Sequence, residues 1–296
     1  MITRRHFLKS LGFFSAAGVG VASYAFVLEP RFMLRTVSHA FTPPGWTPGL
    51  KLRAVLIADP HVVEPYMPLG RWARIIEAAQ ALNPDIVFML GDYVSGIHPR
   101  LATVPVAETA KVAARLKAPL GTFSINGNHD WWEDIAAHAA RKGPPEAQRA
   151  FEDAGIPVLA NKAVRLQKDG LPFWVSGTDS LVAFRNGLHS FEGMDDLEDT
   201  LKQVTDNAPI IHLAHEPDLF RDMPARVSLT LSGHTHGGQL RFAGYSPIVP
   251  SSYGNRYAYG HVIEDGKHLF VSGGLGVSTV PFRLGVPPEI NLLELG

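Results

Sequence analysis

Residues 227–239 read Val-Ser-Leu-Thr-Leu-Ser-Gly-His-Thr-His-Gly-Gly-Gln. Val227 to Leu231 is a short apolar run, and His234 and His236 follow it two positions apart between glycines. That spacing sends both imidazoles to the same side of an extended chain, and the glycines let backbone and ligand approach closely. The arrangement recurs upstream. Leu52 to Ala58 precedes Asp59 and His61, Ile86 to Leu90 precedes Asp92, Thr122 to Ile125 precedes Asn128 and His129, and Ile210 to Ala214 precedes His215. Runs of this length, rich in Val, Ile and Leu and bounded by Gly, Pro or Asn, read as buried strands. Where such strands lie side by side, the residues just past their ends gather along one edge, the crevice in which open α/β sheets bind ligands.

Each block has a bland reading of its own. Asp59-Pro60-His61 is an ordinary turn, Gly91-Asp92 is common turn chemistry, and Asn128 ahead of Trp131-Trp132 is a helix cap. Jointly those readings become improbable. Cysteine is absent, so a metal held here is bound through nitrogen and oxygen, which suits Mn, Fe, Zn or Ni. His212 lies inside an apolar run and reads as a strand histidine with a structural partner.

A chain of 296 residues with 46% hydrophobic content can bury a substantial core. With 27 basic and 28 acidic residues the net charge is -1, which gives no basic field for nucleic acid, and no polynucleotide partner is expected. The leader Thr3-Arg4-Arg5-His6-Phe7-Leu8-Lys9 precedes a mostly apolar stretch from Leu11 to Leu28. It reads as a twin-arginine export signal, with the twin-arginine translocase as partner, or as a membrane anchor. Cleavage after Ala25 is compatible with the small residues there. The expected organisation is a leader over residues 1–28, an extended proline-rich linker over 29–50 and one catalytic domain over 51–296. Location outside the cytoplasm follows, in the periplasm or at an extracytoplasmic membrane face.

Helices are expected over Arg71 to Leu82, stopping at Asn83-Pro84, and over Val104 to Leu116, Pro145 to Ala154 and Asp195 to Val204. Further strands are expected at Phe173 to Gly177, Tyr257 to Ile263, Leu269 to Ser272 and Ile290 to Leu295, with a loop over Leu181 to Met194.

In order and spacing, Asp59-x-His61, Gly91-Asp92, Gly127-Asn128-His129, His215 and Gly233-His234-x-His236 resemble the calcineurin-like metallophosphoesterase superfamily, over residues 52 to about 240. With the leader and the tail through Gly273-Gly274-Leu275-Gly276, the sequence is similar to its exported bacterial phosphodiesterase and UDP-2,3-diacylglucosamine pyrophosphatase branch. The resemblance implies a four-layer α/β-β/α sandwich and two divalent metal ions, Mn, Fe or Zn. Asp59, His61, Asp92 and His236 would hold one, and Asp92, Asn128, His215 and His234 the other. A metal-bridging hydroxide would attack phosphorus, with His129 as proton donor to the leaving oxygen. The implied substrate is a phosphodiester or a nucleotide-diphospho-lipid, met at a membrane surface. A phosphomonoesterase using the same metals, or an inactive metal-binding protein, are the alternatives.

One departure stands out. Relatives continue the second block as Gly-Asp-x-x-Asp-Arg-Gly, whereas here Ser95 takes the carboxylate position and the arginine is missing. Asp130 is the candidate to compensate. Arg283, His261 and Tyr253 are weak candidates for a substrate pocket, and Trp131 and Trp132 read as packing residues or acyl-chain contacts.

Overall fold

The computed structural model describes residues 4–97, 100–187 and 190–296. Thr3 of the leader pattern, the side chains of Arg5 and Phe7 to Phe14, and residues 188 and 189 of the expected loop lie outside the described residues. Along the chain run α1 (Arg4–Ser23), β1 (Arg35–Phe41), β2 (Leu52–Ile57), α2 (Leu69–Gln80), β3 (Ile86–Met89), α3 (Val106–Ala113), β4 (Thr122–Ser124), α4 (Asn128–Trp132) and α5 (Glu146–Asp153). There follow β5 (Lys162–Lys168), β6 (Leu171–Gly177), α6 (Leu197–Lys202), β7 (Ile210–Leu213), β8 (Leu229–Ser232), β9 (Gly260–Glu264), β10 (Lys267–Val271) and β11 (Glu289–Leu295).

Among the described residues two large sheets form, in the orders β1-β11-β2-β3-β4 and β9-β10-β8-β7-β6-β5, beside two small two-stranded ones. Within them β2, β3 and β4 are parallel, as are β6, β7, β8 and β10. Alternate residues serve alternate faces. Leu52, Leu56, Phe88, Leu293, Ile211, Leu213, Leu229 and Leu231 fill the space between the sheets. Val55, Ile57, Val87, Met89 and Leu292 face outward to Trp72, Ile75 and Ile76 of α2 and Phe151 of α5. Ile210, Leu269 and Val271 face the other outer layer, with Leu219 and Phe220. The result is the expected four-layer sandwich, and coverage on both faces is why the central strands read as continuous apolar runs.

The 29–50 segment is not a linker outside the domain. β1 pairs in parallel with β11 from Arg35↔Glu289 to Phe41↔Leu295, and Trp46 and Leu50 are buried in the inter-sheet core. An edge strand has one neighbour and one covered face, so β1 alternates half-buried and exposed positions and lacks the apolar run that marks the inner strands. β5 was hidden for the same reason. The expected strand from Tyr257 begins only at Gly260, because Gly254–Tyr257 is a 3-10 turn.

The helix beginning with α1 continues through a wide turn at Tyr24–Leu28 into Glu29–Phe32. Its end is docked on the domain. The buried Glu29 carboxylate accepts hydrogen bonds from the backbone N–H of Gly285 (3.1 Å) and Val286 (2.8 Å). The carbonyl of the buried Ala25 accepts from Arg283 N (2.9 Å), and Phe26 lies 5.6 Å from the Phe282 ring. Among the described residues no helix is long and apolar enough to cross a membrane.

Candidate metal centre

Every predicted ligand sits just past the C-terminal end of a parallel strand, and the loops after β2, β3, β4, β7 and β8 converge. Among the described residues Asp59, His61 and His236 form one group, Asp92, His215 and His234 a second, and His61, Asp92 and His129 a third, the ligand atoms within each lying within 4.8 Å of one another. His61 Nε2 is 3.2 Å from His236 Nε2, and Asp59 Oδ1 is 3.9 Å from the same atom. Asp92 Oδ2 lies between the groups, 3.4 Å from His61 Nε2 and 3.2 Å from His215 Nε2. His234 Nδ1 approaches Asn128 Oδ1 at 2.8 Å. The seven residues predicted from the sequence are thus brought together.

The donor set fits divalent cations. His61 Nδ1 donates to Val94 O (2.8 Å) and His215 Nδ1 to Leu90 O (2.6 Å), which leaves both Nε2 lone pairs aimed into the cluster. Asp59 Oδ2 and His215 Nε2 are buried with no hydrogen-bond partner. Buried lone pairs facing one another are costly unless a cation satisfies them. Burial pushes the Asp59 carboxyl up to about 7, opposed by His215. It pushes His61 and His234 down to about 4, and His236 well below its ordinary value, so these three imidazoles are neutral near pH 7. Burial would raise Asp92 as well, but His215 and His129 beside it hold the carboxyl well below the usual range.

Tight loops aim these side chains. Asp59, His61, Asp92, His234 and His236 all have left-handed backbone, with φ of 50°, 43°, 59°, 68° and 51°. For residues other than glycine that is strain characteristic of functional sites. A Cβ on Gly127 would run into Asp92 Oδ1, so the Asp92 and Asn128 loops touch backbone to side chain. Asp130 ties them together, its carboxylate accepting from the N–H of Asp92 (2.9 Å), Tyr93 (2.9 Å) and Gly127 (2.8 Å). Asp59 Oδ1 accepts from His234 N (2.8 Å), which joins the loops of the two sheets.

His129 stands beside the cluster, its ring 4.9 Å from that of His61 and 5.1 Å from that of Trp132. Its Nε2 is 3.2 Å from Ser278 Oγ and its Nδ1 3.5 Å from Glu133 Oε1. A cavity of ≈ 380 Å³ opens above, with Asp92, Asn128, His129, His234 and His236 as floor and Trp132, Leu240, Ile248, Val280 and Phe282 among its walls.

Other expectations sort as follows. Asp130 is committed to backbone N–H groups rather than to His129. His212 is a strand histidine, 2.9 Å from Ser176 Oγ. Arg283 does not line the cavity. It is fully buried behind it, donating to the carbonyls of Gly273 (2.9 Å) and Gly276 (2.6 Å), with Nη2 3.1 Å from His236 Nδ1. His261 stacks on Phe41 (4.0 Å) at the sheet edge and Tyr253 packs on Tyr257, so neither lines the cavity. Trp131 is buried, donating to Asp179 (2.8 Å), while Trp132 reaches the cavity. Sequence reasoning missed Ser278 and Glu133. Glu133 carried a signal, its i+4 spacing from His129 on a helical stretch.

The calcineurin-like phosphoesterase family profile matches residues 52–238. The Bacillus subtilis (strain 168) protein called uncharacterized metallophosphoesterase YkuE is 30% identical over 307 residues, covering 99% of this chain and 98% of the relative. Phosphodiesterase YaeI of Escherichia coli (strain K12) is 28% identical, covering 100% of both chains. Among solved structures, Haemophilus influenzae NAD nucleotidase aligns with a TM-score of 0.45 at 15% identity, over 77% of this chain and 45% of that one. The profile match, spanning more than half the chain, shows that this protein belongs to the calcineurin-like phosphoesterase family, whose members use divalent metals.

Proposed function

We propose that the protein is a phosphodiesterase, acting on a phosphodiester or on the pyrophosphate of a nucleotide-diphospho-lipid at the cell envelope. In this reading two divalent ions, Mn, Fe or Zn, are held by Asp59, His61, Asp92 and His236 and by Asp92, Asn128, His215 and His234, with Asp92 shared. Divalent cations in such a pair lower the pKa of water and draw charge from phosphoryl oxygens. His129 turns its Nε2 toward the cavity and is placed to give a proton to the leaving oxygen. Asn128 and His234, 2.8 Å apart, fix the adjoining part of the floor.

The observation that carries the reading is the character of the cavity. Its floor is the donor cluster with His129, its walls are largely apolar, and its described lining residues include no Lys or Arg. A phosphomonoester carries a second negative charge that such sites usually meet with a guanidinium or ammonium. A singly charged diester with an apolar substituent matches these walls better. The relative from E. coli named a phosphodiesterase points the same way. Export through the twin-arginine translocase rests on Arg4-Arg5 ahead of the apolar stretch. Docking at a membrane surface is supported by exposed Phe26, Leu28 and Phe32 on the leader helix and by exposed Phe242 and Ile248 near the mouth.

The test is metal analysis of protein purified without chelator, with turnover of bis(p-nitrophenyl) phosphate and p-nitrophenyl phosphate under added Mn or Zn. Two metals per chain and faster diester cleavage are expected. Faster monoester cleavage transfers the reading to a phosphomonoesterase, and no metal-dependent release from either substrate ends it.

A further inference from the structure

By the family resemblance, Ser95 occupies the position where many relatives carry a carboxylate that orients the proton-donating histidine, and Gly96 follows it. Neither Ser95 nor Asp130 serves that purpose here. Ser95 Oγ accepts from the N–H of Ile97 (3.3 Å), and Asp130 spends both oxygens on backbone N–H groups of the Asp92 and Asn128 loops. His129 Nδ1 is buried and lacks a hydrogen-bond partner, with Glu133 Oε1 3.5 Å away. Glu133 projects from the residue that ends α4, one turn beyond His129. The space it occupies exists because residue 96 has no side chain, since a Cβ on Gly96 would collide with Glu133 Oε1. The two departures from the family pattern at 95 and 96 therefore have one explanation.

We propose that Glu133 is the positioning carboxylate of His129, relocated from the loop after β3 to the end of α4, and that Gly96 is the vacated space that admits it. This rests on His129 being the proton donor. As a hydroxide oxygen bonds to phosphorus and the P–O bond to the leaving group breaks, the Nε2 proton of His129 passes to the leaving oxygen and its electron pair stays on Nε2. The Nδ1 proton remains, facing Glu133, which keeps Nε2 turned to the cavity. A separation of 3.5 Å is longer than a hydrogen bond, and such contacts commonly tighten when substrate closes the site. A helix-surface pair at i and i+4 without this role is worth only a few tenths of a kcal/mol and leaves the chemistry untouched.

The experiment compares wild type, Glu133→Gln, Glu133→Asp, His129→Ala and the Glu133→Gln/His129→Ala double variant on aryl methyl phosphates of rising phenol pKa, with metal content measured throughout. In Glu133→Gln, kcat is expected to fall about tenfold or more for the phenyl ester and little for the p-nitrophenyl ester, with KM and metal content unchanged. Glu133→Asp restores part of the loss, and the double variant is no slower than His129→Ala, as for two members of one unit. Imidazole 15N shifts of His129 should report an Nδ1-protonated ring in wild type and a mixed population in Glu133→Gln. An unaltered dependence on phenol pKa, a uniform fall across the series, lost metal or additive losses in the double variant overturns the assignment while leaving the phosphodiesterase reading intact. A wild-type protein that cleaves no member of the series overturns both.

Discussion

Each loop of the donor cluster is tied to another. Asp130 grips the N–H groups of Asp92, Tyr93 and Gly127, Asp59 grips His234, and His61 and His215 are anchored through the carbonyls of Val94 and Leu90 in the segment after β3. His129, one residue past Asn128, is held otherwise. Its backbone donates to Asp92 Oδ1 (2.8 Å), but its ring nitrogens face Ser278 on one side and the partly exposed Glu133 on the other. The cradle is over-determined and the His129 corner is not. Metal affinity and turnover should therefore separate on mutation, which a fold built as one equally rigid unit would not allow.

The largest effect is expected from Asp92→Ala, which removes the residue common to both groups. Activity should fall by about 10³-fold or more together with loss of bound metal, measured by metal analysis and diester turnover. Retained metal with lost activity would break the contrast. His129→Ala should lower kcat by about 10²- to 10⁴-fold with metal content unchanged, and metal lost from this variant would merge the two regions. Asp130→Ala strips an acceptor from three buried N–H groups and should cost about 3 kcal/mol of stability, read by denaturant unfolding, with weakened metal binding as a consequence. Ile248→Ser at the apolar wall should raise KM for diesters with long apolar substituents by about fivefold and leave methyl esters unaffected.

A pH-dependent effect lies outside both regions. Burial pushes His212 down to about 3, so the folded protein holds it neutral while the unfolded chain takes up its proton below about 6.5. The unfolded state then binds more protons, and stability falls as pH drops from about 6.5 toward 3. Replacing His212 with glutamine should flatten that decline relative to wild type in denaturant titrations of the metal-free protein.

The inner strands were legible because burial on both faces writes itself as an apolar run, and the ligands because each follows such a run. β1 and β5 were not, since an edge strand mixes polar and apolar residues much as an extended linker does. Arg283 reads in the sequence as no more than a weak pocket candidate, because the carbonyls that hold it come from glycine-rich turns whose approach depends on tertiary packing. The cavity walls at 240–250 and 278–282 have no periodicity at all. Their role appears only once β8, β10 and β11 bring them together.

The docking of the N-terminal helix has a consequence for any cleavage after Ala25. Proteases bind their substrates as extended peptide, whereas the bond after Ala25 lies in a helical turn whose carbonyl is occupied by Arg283 N–H. Cutting there requires that turn to peel away first, uncapping the 283–286 segment that Glu29 secures. Susceptibility of this bond to limited digestion would thus serve as a gauge of how often the cavity's rear buttress detaches.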